Sequence, residues 1–349
     1  MNHFNKRIAN IPQNLWALIN QIDELKGQWV GGAKINPQAL GRLRRSVLVT
    51  STGASTRIEG AKLSDEDIEK MMRGLSMQKF ADRDIQEVQG YYELLENVFN
   101  AWNSIPISES TIKHLHHELL KYVEKDKLHR GEYKKIENKV EMINEAGQSI
   151  GTLFDTTPAY LTPKEMQELV EWAREATTLK EIHPLLIIGN FLVEFLNIHP
   201  FQDGNGRLSR VLTNLLLLQS GYAYSPYVSH EKLVEDNKAE YYIALRKRQK
   251  TLKTGTDITP WLEFFLHVLL KQSKQAIELL SKENIDKLLS PKQLTVWKYL
   301  EQTEEATPGE ISKATNVARP TVSQALDTLL RLKKVERLGQ GRTTRYKKK

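Results

Sequence analysis

Apolar residues recur at helical spacing through the middle of the chain. Leu185, Leu186, Ile187, Ile188, Phe191, Leu192, Phe195 and Leu196 predict a mostly buried helix running to about Asn197. Pro200 disfavours a helical conformation at His199 and helps end it. A second run, Leu208, Val211, Leu212, Leu215, Leu216 and Leu218, predicts another helix. Residues 1–100 read as polar-faced helices, with starts at Asn36-Pro37 and Ser64-Asp65-Glu66. The pattern changes after Gly131-Glu132-Tyr133. Ile136, Val140, Met142, Ile143, Ile150, Leu153 and Phe154, interrupted by polar residues 144–148, predict a β-hairpin or extended loop that Pro158 and Pro163 close. Residues 271–289 read as a charged helical connector.

The last stretch, 290–349, has its own punctuation. Ser290-Pro291 and Thr307-Pro308-Gly309-Glu310 each read as a helix start. Leu294, Val296, Trp297 and Leu300 form one apolar face, and a short helix follows through Ala314. Asn316-Val317-Ala318 makes a turn, and Pro320 starts a helix bearing Val322, Ala325, Leu326, Leu329 and Leu330. A hairpin is expected around Gly339-Gln340-Gly341. The expected fold is therefore mainly α: a helical region 1–104, a helical core 105–270 with a hairpin, a connector 271–289 and a module 290–349.

Composition narrows the setting. The 349 residues are enough for two or three domains, and the absence of cysteine excludes disulfides and thiolate metal sites. No apolar run approaches the ~20 residues a membrane helix needs, and nothing behind Met1–Arg7 resembles a signal sequence. A soluble cytoplasmic protein is expected. The net charge of +7 is not spread evenly. Residues 331–349 carry nine basic residues and one acid, Glu336, so the rest of the chain sums to −1. A polyanion would be met at the tail.

The polar block between the two apolar helices is His199-Pro200-Phe201-Gln202-Asp203-Gly204-Asn205-Gly206-Arg207-Leu208-Ser209-Arg210. It lies on a short turn that opens a helix, where free N–H groups and the positive dipole end favour anionic oxygens. Gly204 and Gly206 permit positive φ and close approach of a ligand, and successive N–H groups can form an anion nest. Arg207 and Arg210 are suited to phosphate oxygens. Asp203 is a hard oxygen donor suited to Mg²⁺ that is also held by phosphates. His199 is suited to act as general base near neutral pH.

Nine specified letters at fixed offsets match the signature HPFxDGNGRxxR, and the chain resembles the Fic family, as do Glu181-Ile182-His183-Pro184 and the helix after it. The resemblance implies a nucleotidyl transferase that moves AMP from ATP to a hydroxyl of a target protein. His199 would deprotonate the target Ser, Thr or Tyr. Asp203 would hold Mg²⁺ bridging the α- and β-phosphates. Gly204, Asn205 and Gly206 would cradle phosphates with Arg207, Arg210 would hold the γ-phosphate, and Phe201 would anchor the turn. The hairpin would form a flap, placed near 150–157 with Ile150, Gly151, Thr152, Leu153 and Phe154, whose backbone pairs with the target. Tyr242, Leu245 and Gln249 fall where relatives contact base or ribose, although some relatives carry Asn at the last position. Many relatives form dimers, but the sequence shows no self-complementary face.

Ser55 and Glu59 are four residues apart and share a face if helical, and Gly60 can end that helix. Beside the full motif, Ser51–Gly60 resembles the family's inhibitory helix (S/T)xxxE(G/N). The resemblance implies a Glu59–Arg210 pair that occupies the guanidinium meant for the γ-phosphate. The same carboxylate would also have the chemistry to orient water that removes AMP from a modified target.

Residues 290–349 resemble a winged helix-turn-helix domain. Arg319, Thr321, Ser323 and Gln324 would then reach base edges of duplex DNA, and Arg342 and Arg345 its phosphates. Such modules also serve as docking or dimer surfaces. Two other functions compete with AMP transfer: a transcriptional regulator whose core senses nucleotide without catalysis, and the same scaffold moving UMP or phosphocholine. The intact His199 favours an enzyme, since a sensor needs no base. His114, His116 and His117 read as structural or solvated.

Overall fold

Helical spacing resolves the N-terminal third into α1 (His3–Arg7), α2 (Gln13–Gly32), α3 (Pro37–Ile58), α4 (Asp65–Met72) and α5 (Asp82–Ala101). The computed structural model describes residues 3–32, 37–74, 82–143, 149–252, 257–331, 334–339 and 344–349. Contacts divide the chain into one unit of residues 1–277 and another of 278–349.

The end of α3 places a carboxylate. Gly60 adopts φ +105°, and the Ala61 N–H reaches Thr56 C=O at 3.1 Å while the Gly60 N–H reaches Arg57 C=O at 3.1 Å. These two bonds satisfy carbonyls of the last turn and stop the helix, leaving Glu59 just past its end. Ser64 then opens α4 through a capping box with Asp67.

After α6 (Glu109–Leu119), strands β1 (Lys139–Ile143) and β2 (Ser149–Asp155) pair antiparallel, from Lys139 opposite Asp155 to Ile143 opposite Ser149. Register shifts fall between Val140 and Glu141 and between Met142 and Ile143. This is the expected hairpin. Its polar connection, residues 144–148, lies outside the described residues.

Next come α7 (Thr162–Leu179), α8 (Pro184–Ile198) and α9 (Asn205–Gln219). Every residue of α8 from Leu185 to Ile198 is buried. A helix covered on all sides needs no amphipathic stripe, and the near-continuous apolar run from Leu185 to Leu196 follows from that. Helix α9 differs: Asn205, Arg207, Ser209, Arg210, Thr213 and Asn214 are buried with its leucines. Such polar groups stay inside only when partnered. Glu231, fully buried, supplies part of the partnership, accepting from Asn214 Nδ2 at 2.6 Å and Tyr91 Oη at 3.0 Å. It sits on α10 (His230–Asp236), which precedes α11 (Lys238–Leu252) and α12 (Thr259–Leu288). The charged stretch expected as a connector is thus the later part of one continuous helix that begins at Thr259.

The unit 278–349 contains α13 (Pro291–Glu301), α14 (Pro308–Thr315), α15 (Arg319–Arg331) and the antiparallel strands β3 (Val335–Leu338) and β4 (Arg345–Lys348). Both expected helix starts are capping boxes, Ser290 with Gln293 and Thr307 with Glu310. Val296, Trp297, Leu300, Ile311, Val322, Leu326 and Leu329 form its own core. Among the described residues no helix is long and apolar enough to cross a membrane.

Candidate active site

The junction of α8 and α9 sets the geometry. His199 caps α8 in the left-handed region (φ 51°, ψ 59°), and its N–H closes the helix on Phe195 C=O at 2.9 Å. Its Nδ1 lies 3.3 Å from Leu196 C=O. A carbonyl only accepts, so Nδ1 carries the proton and Nε2 keeps its lone pair. Burial pulls this imidazole down to about 4 and the Lys134 charge adds to that, against the Leu196 carbonyl and the carboxylates of Glu59 and Asp203. The ring is therefore a neutral base at physiological pH.

The turn is held from several sides. Asn205 Oδ1 accepts from the Phe201 N–H at 2.9 Å, and its Nδ2 donates to Phe201 C=O at 2.8 Å. The Asn205 side chain is thus spent on the turn, and its part in an anion grip is its backbone N–H. Phe201, fully buried, stacks on His116 with centroids 3.8 Å apart. His116 Nδ1 accepts from the Gly131 N–H at 2.9 Å, which leaves Nε2 to donate to Asp203 C=O at 3.0 Å. Burial lowers the His116 pKa to about 4, so this tautomer persists at neutral pH. The sequence carries no sign of this role, because a histidine among leucines reads as ordinary core.

Gly204 precedes α9 at φ 77°. Asp203 Oδ1 accepts from its N–H at 2.6 Å. Asp203 Oδ2 is met by Arg83 Nη2 at 2.7 Å and Arg207 Nη2 at 3.1 Å. Burial works against the Asp203 charge, but Arg207, the Gly204 N–H and Arg83 together hold its carboxyl below the usual range. Arg207, 2% exposed, also lies 2.7 Å from Glu87 Oε2. Arg83 and Glu87, both on α5, lie far from the motif in sequence and carry no local signal that would have marked them.

Arg210 completes the corner. Its Nε donates to Ser55 Oγ at 2.8 Å, and its Nη2 donates to Ser55 C=O at 2.9 Å and to Glu59 Oε1 at 2.6 Å. Glu59 Oε1 also overlaps the place where a Cβ on Gly206 would lie. A carboxylate oxygen thus already rests above the first turn of α9, where glycine alone leaves room. Among the described residues no acceptor meets Arg207 Nε or Arg210 Nη1, although both are buried. Free buried donors around a seated anion are what a larger oxyanion would use.

Gly206→Ala should therefore weaken nucleotide binding by about tenfold or more while the chain stays folded, because the methyl takes the space of the anion. Titration with a fluorescent ATP analogue measures this, and unchanged affinity would remove the anion seat from over Gly206.

The other expected residues fall on α11, the hairpin and the second unit. Tyr242 is half-buried and packs edge-on to Tyr241 at 5.3 Å on α11, which approaches β2. Leu245 is buried at 4% exposure, so it backs this region from the core. Gln249 lies on α11, but its side chain is outside the described residues. Ile150, Gly151, Thr152, Leu153 and Phe154 all lie on β2, and only their backbone is described. In the other unit, Arg319, Ser323 and Gln324 are exposed and Thr321 half-exposed on the first turns of α15. Arg345 lies 3.3 Å from Glu305 and 3.7 Å from Glu310, so acids of its own unit already face it. Arg342 lies outside the described residues.

Comparison with known proteins adds the family. The Fic/DOC family profile matches residues 106–217. A Fido domain-containing protein of Dictyostelium discoideum is 32% identical over 102 residues, covering 28% of this chain and 67% of that protein. The chain belongs to the Fic/DOC family. A probable protein adenylyltransferase of Aquifex aeolicus is 28% identical over 189 residues, which are 52% of each chain. The Fic-family match thus spans about half the length of that curated relative. A crystal structure of a Fic family protein from Desulfovibrio desulfuricans superposes with a TM-score of 0.64 over 97% of both chains at 24% identity, which shows a shared Fic fold.

Proposed function

We propose that this chain transfers AMP from ATP to a hydroxyl of a protein and that Glu59 restrains it. One observation carries this reading: the lone pair of His199 Nε2 and the anion seat over Gly206 belong to the same turn, and the seat already holds a carboxylate. The Aquifex relative's description as a probable protein adenylyltransferase supports the same class of reaction.

In the transfer step the acceptor hydroxyl loses its proton to His199 Nε2, its oxygen bonds to the α-phosphorus of ATP, and the bond to pyrophosphate breaks. Gly206 and the N-terminus of α9 hold phosphate oxygens, and Arg207 and Arg210 neutralise them. Asp203 is the residue that would hold Mg²⁺. Among the described residues no group of three or more His, Cys, Asp or Glu forms a ligand set. A single carboxylate fits an ion whose other ligands are phosphates and water. That ion would neutralise charge on the phosphates. Glu59 on Arg210 blocks the γ-phosphate position. The same carboxylate, over Gly206, would be available to orient water for removing AMP. A triphosphate donor suits the cluster of cations better than phosphocholine transfer does.

Mass spectrometry of Glu59→Gly incubated with ATP and magnesium tests the chemistry. Addition of one adenylate is expected, and an unmodified chain together with unmodified acceptor proteins would end this reading.

The exposed face of α15 supports a separate reading of unit 278–349 as a duplex-DNA contact, with Arg319 and Gln324 reaching base edges. Full-length protein should shift duplex DNA at low salt, and the affinity should fall steeply as salt rises. Absence of a shift at low salt would leave α15 as a protein-docking face.

A further inference from the structure

The hairpin that begins at Lys139 meets the catalytic turn at one buried side chain. Lys134 is 4% exposed. Its Nζ donates to Asn138 Oδ1 at 2.8 Å, to Thr156 Oγ1 at 2.8 Å and to Ile198 C=O at 3.0 Å. Asn138 is the residue before β1, Thr156 the residue after β2, and Ile198 the residue before His199. One ammonium therefore ties both feet of the hairpin to the end of α8. Its three N–H donors match three acceptors, so no donor is left over.

Other bonds repeat the connection. The Lys134 N–H donates to Pro200 C=O at 2.8 Å. Asn138 Nδ2 donates to Phe201 C=O at 2.9 Å, and the Thr156 hydroxyl donates to Asn138. The Thr157 N–H donates to Asn197 C=O at 3.2 Å. A strand pair alone is marginally stable, so an anchor at its feet decides where it stands.

We propose that Lys134 is a positioning residue that fixes the hairpin in register with His199, so that an acceptor segment laid along the hairpin presents its hydroxyl to Nε2. Lys134 touches neither nucleotide nor acceptor in this scheme. Only an ammonium or guanidinium has the donors to span two side chains and a carbonyl together, so an apolar side chain of equal length takes a donor from all three acceptors, leaves Asn138 Oδ1 only the Thr156 hydroxyl and cuts the link to Ile198 C=O. The functional consequence rests on the transfer reading, but the anchoring itself does not.

The experiment uses the full chain carrying Glu59→Gly, with Lys134→Met, Lys134→Arg and the milder Thr156→Ala added singly. Hydrogen–deuterium exchange of residues 139–143 and 149–155 reads the hairpin, a fluorescent ATP analogue reads nucleotide affinity, and self-labelling from ATP reads transfer. Lys134→Met should speed exchange of both strands and lower self-labelling by about tenfold or more, with nucleotide affinity within about twofold. Thr156→Ala should move the same readouts less, and Lys134→Arg should restore most of the rate. Unchanged strand exchange in Lys134→Met, loss of nucleotide affinity in parallel, or no recovery with arginine would each overturn the assignment. If the Glu59→Gly parent does not label itself, the transfer reading falls, while strand exchange still decides whether Lys134 anchors the hairpin.

Discussion

Glu59→Gly should raise self-modification and transfer to acceptor proteins by about 100-fold, the scale set by removing a charge-assisted bond of about 1.5–3 kcal/mol from a competing position. The Glu59–Arg210 contact is 2.6 Å, and Arg210 is 3% exposed against 33% for Glu59. Burial disfavours the guanidinium charge, and Glu59 together with Tyr241 and Tyr91 more than offsets that. Without the carboxylate, Arg210 becomes a buried cation without its anion, and the γ-phosphate of ATP is the natural replacement. Steady-state labelling with radiolabelled ATP measures the gain. A rate no higher than that of the unaltered chain would mean the contact does not restrain transfer. Glu59→Gln would separate charge from bulk: it keeps the shape, loses the anion and should activate only partly.

His199→Ala should lower transfer by roughly 10²–10⁴-fold and leave nucleotide affinity within about twofold. The groups proposed to hold phosphate belong to the turn and α9, whereas His199 Nε2 would contribute only the lone pair. The comparison also separates an enzyme from a nucleotide sensor, since a sensor would behave alike with or without the imidazole. The pH profile follows from the same ring. A base works when neutral, and burial keeps this one neutral down to about 4. Transfer by the Glu59→Gly chain should therefore show no loss between pH 8 and 6 that could be assigned to His199. A fall centred near 6.5 would mean that the ring titrates like a solvated histidine.

Much of the site is legible in the sequence because the chemistry is local. The turn from His199 to Arg210, the helices on either side and the hairpin between Lys139 and Asp155 all lie in short stretches whose residue types announce them. The Glu59 contact is readable only through resemblance, since Ser-x-x-x-Glu is common, and 151 residues separate Glu59 from Arg210. Arg83, Glu87, His116 and Lys134 are not legible. Each acts through a contact that folding makes with a different part of the chain, and no spacing rule links them to the turn. The length of α12 is also hidden, because its later part changes from apolar to charged with no Gly or Pro to mark a stop.

The restraint proposed for Glu59 rides on a helix packed into its own unit. Ser51, Thr52, Ala54, Ser55 and Thr56 of α3 are fully buried, and Ser51 Oγ is bonded to Ser229 Oγ at 2.8 Å. Cutting away this segment would expose core residues of the unit 1–277 and should destabilise it. If Glu59 restrains the protein as proposed, a trigger need act only on that one carboxylate, by rotating it outward or drawing it to another cation, with the scaffold beneath unchanged. A trigger of that size needs no large rearrangement, and two crystal forms, on and off, would superpose almost atom for atom except at one side chain.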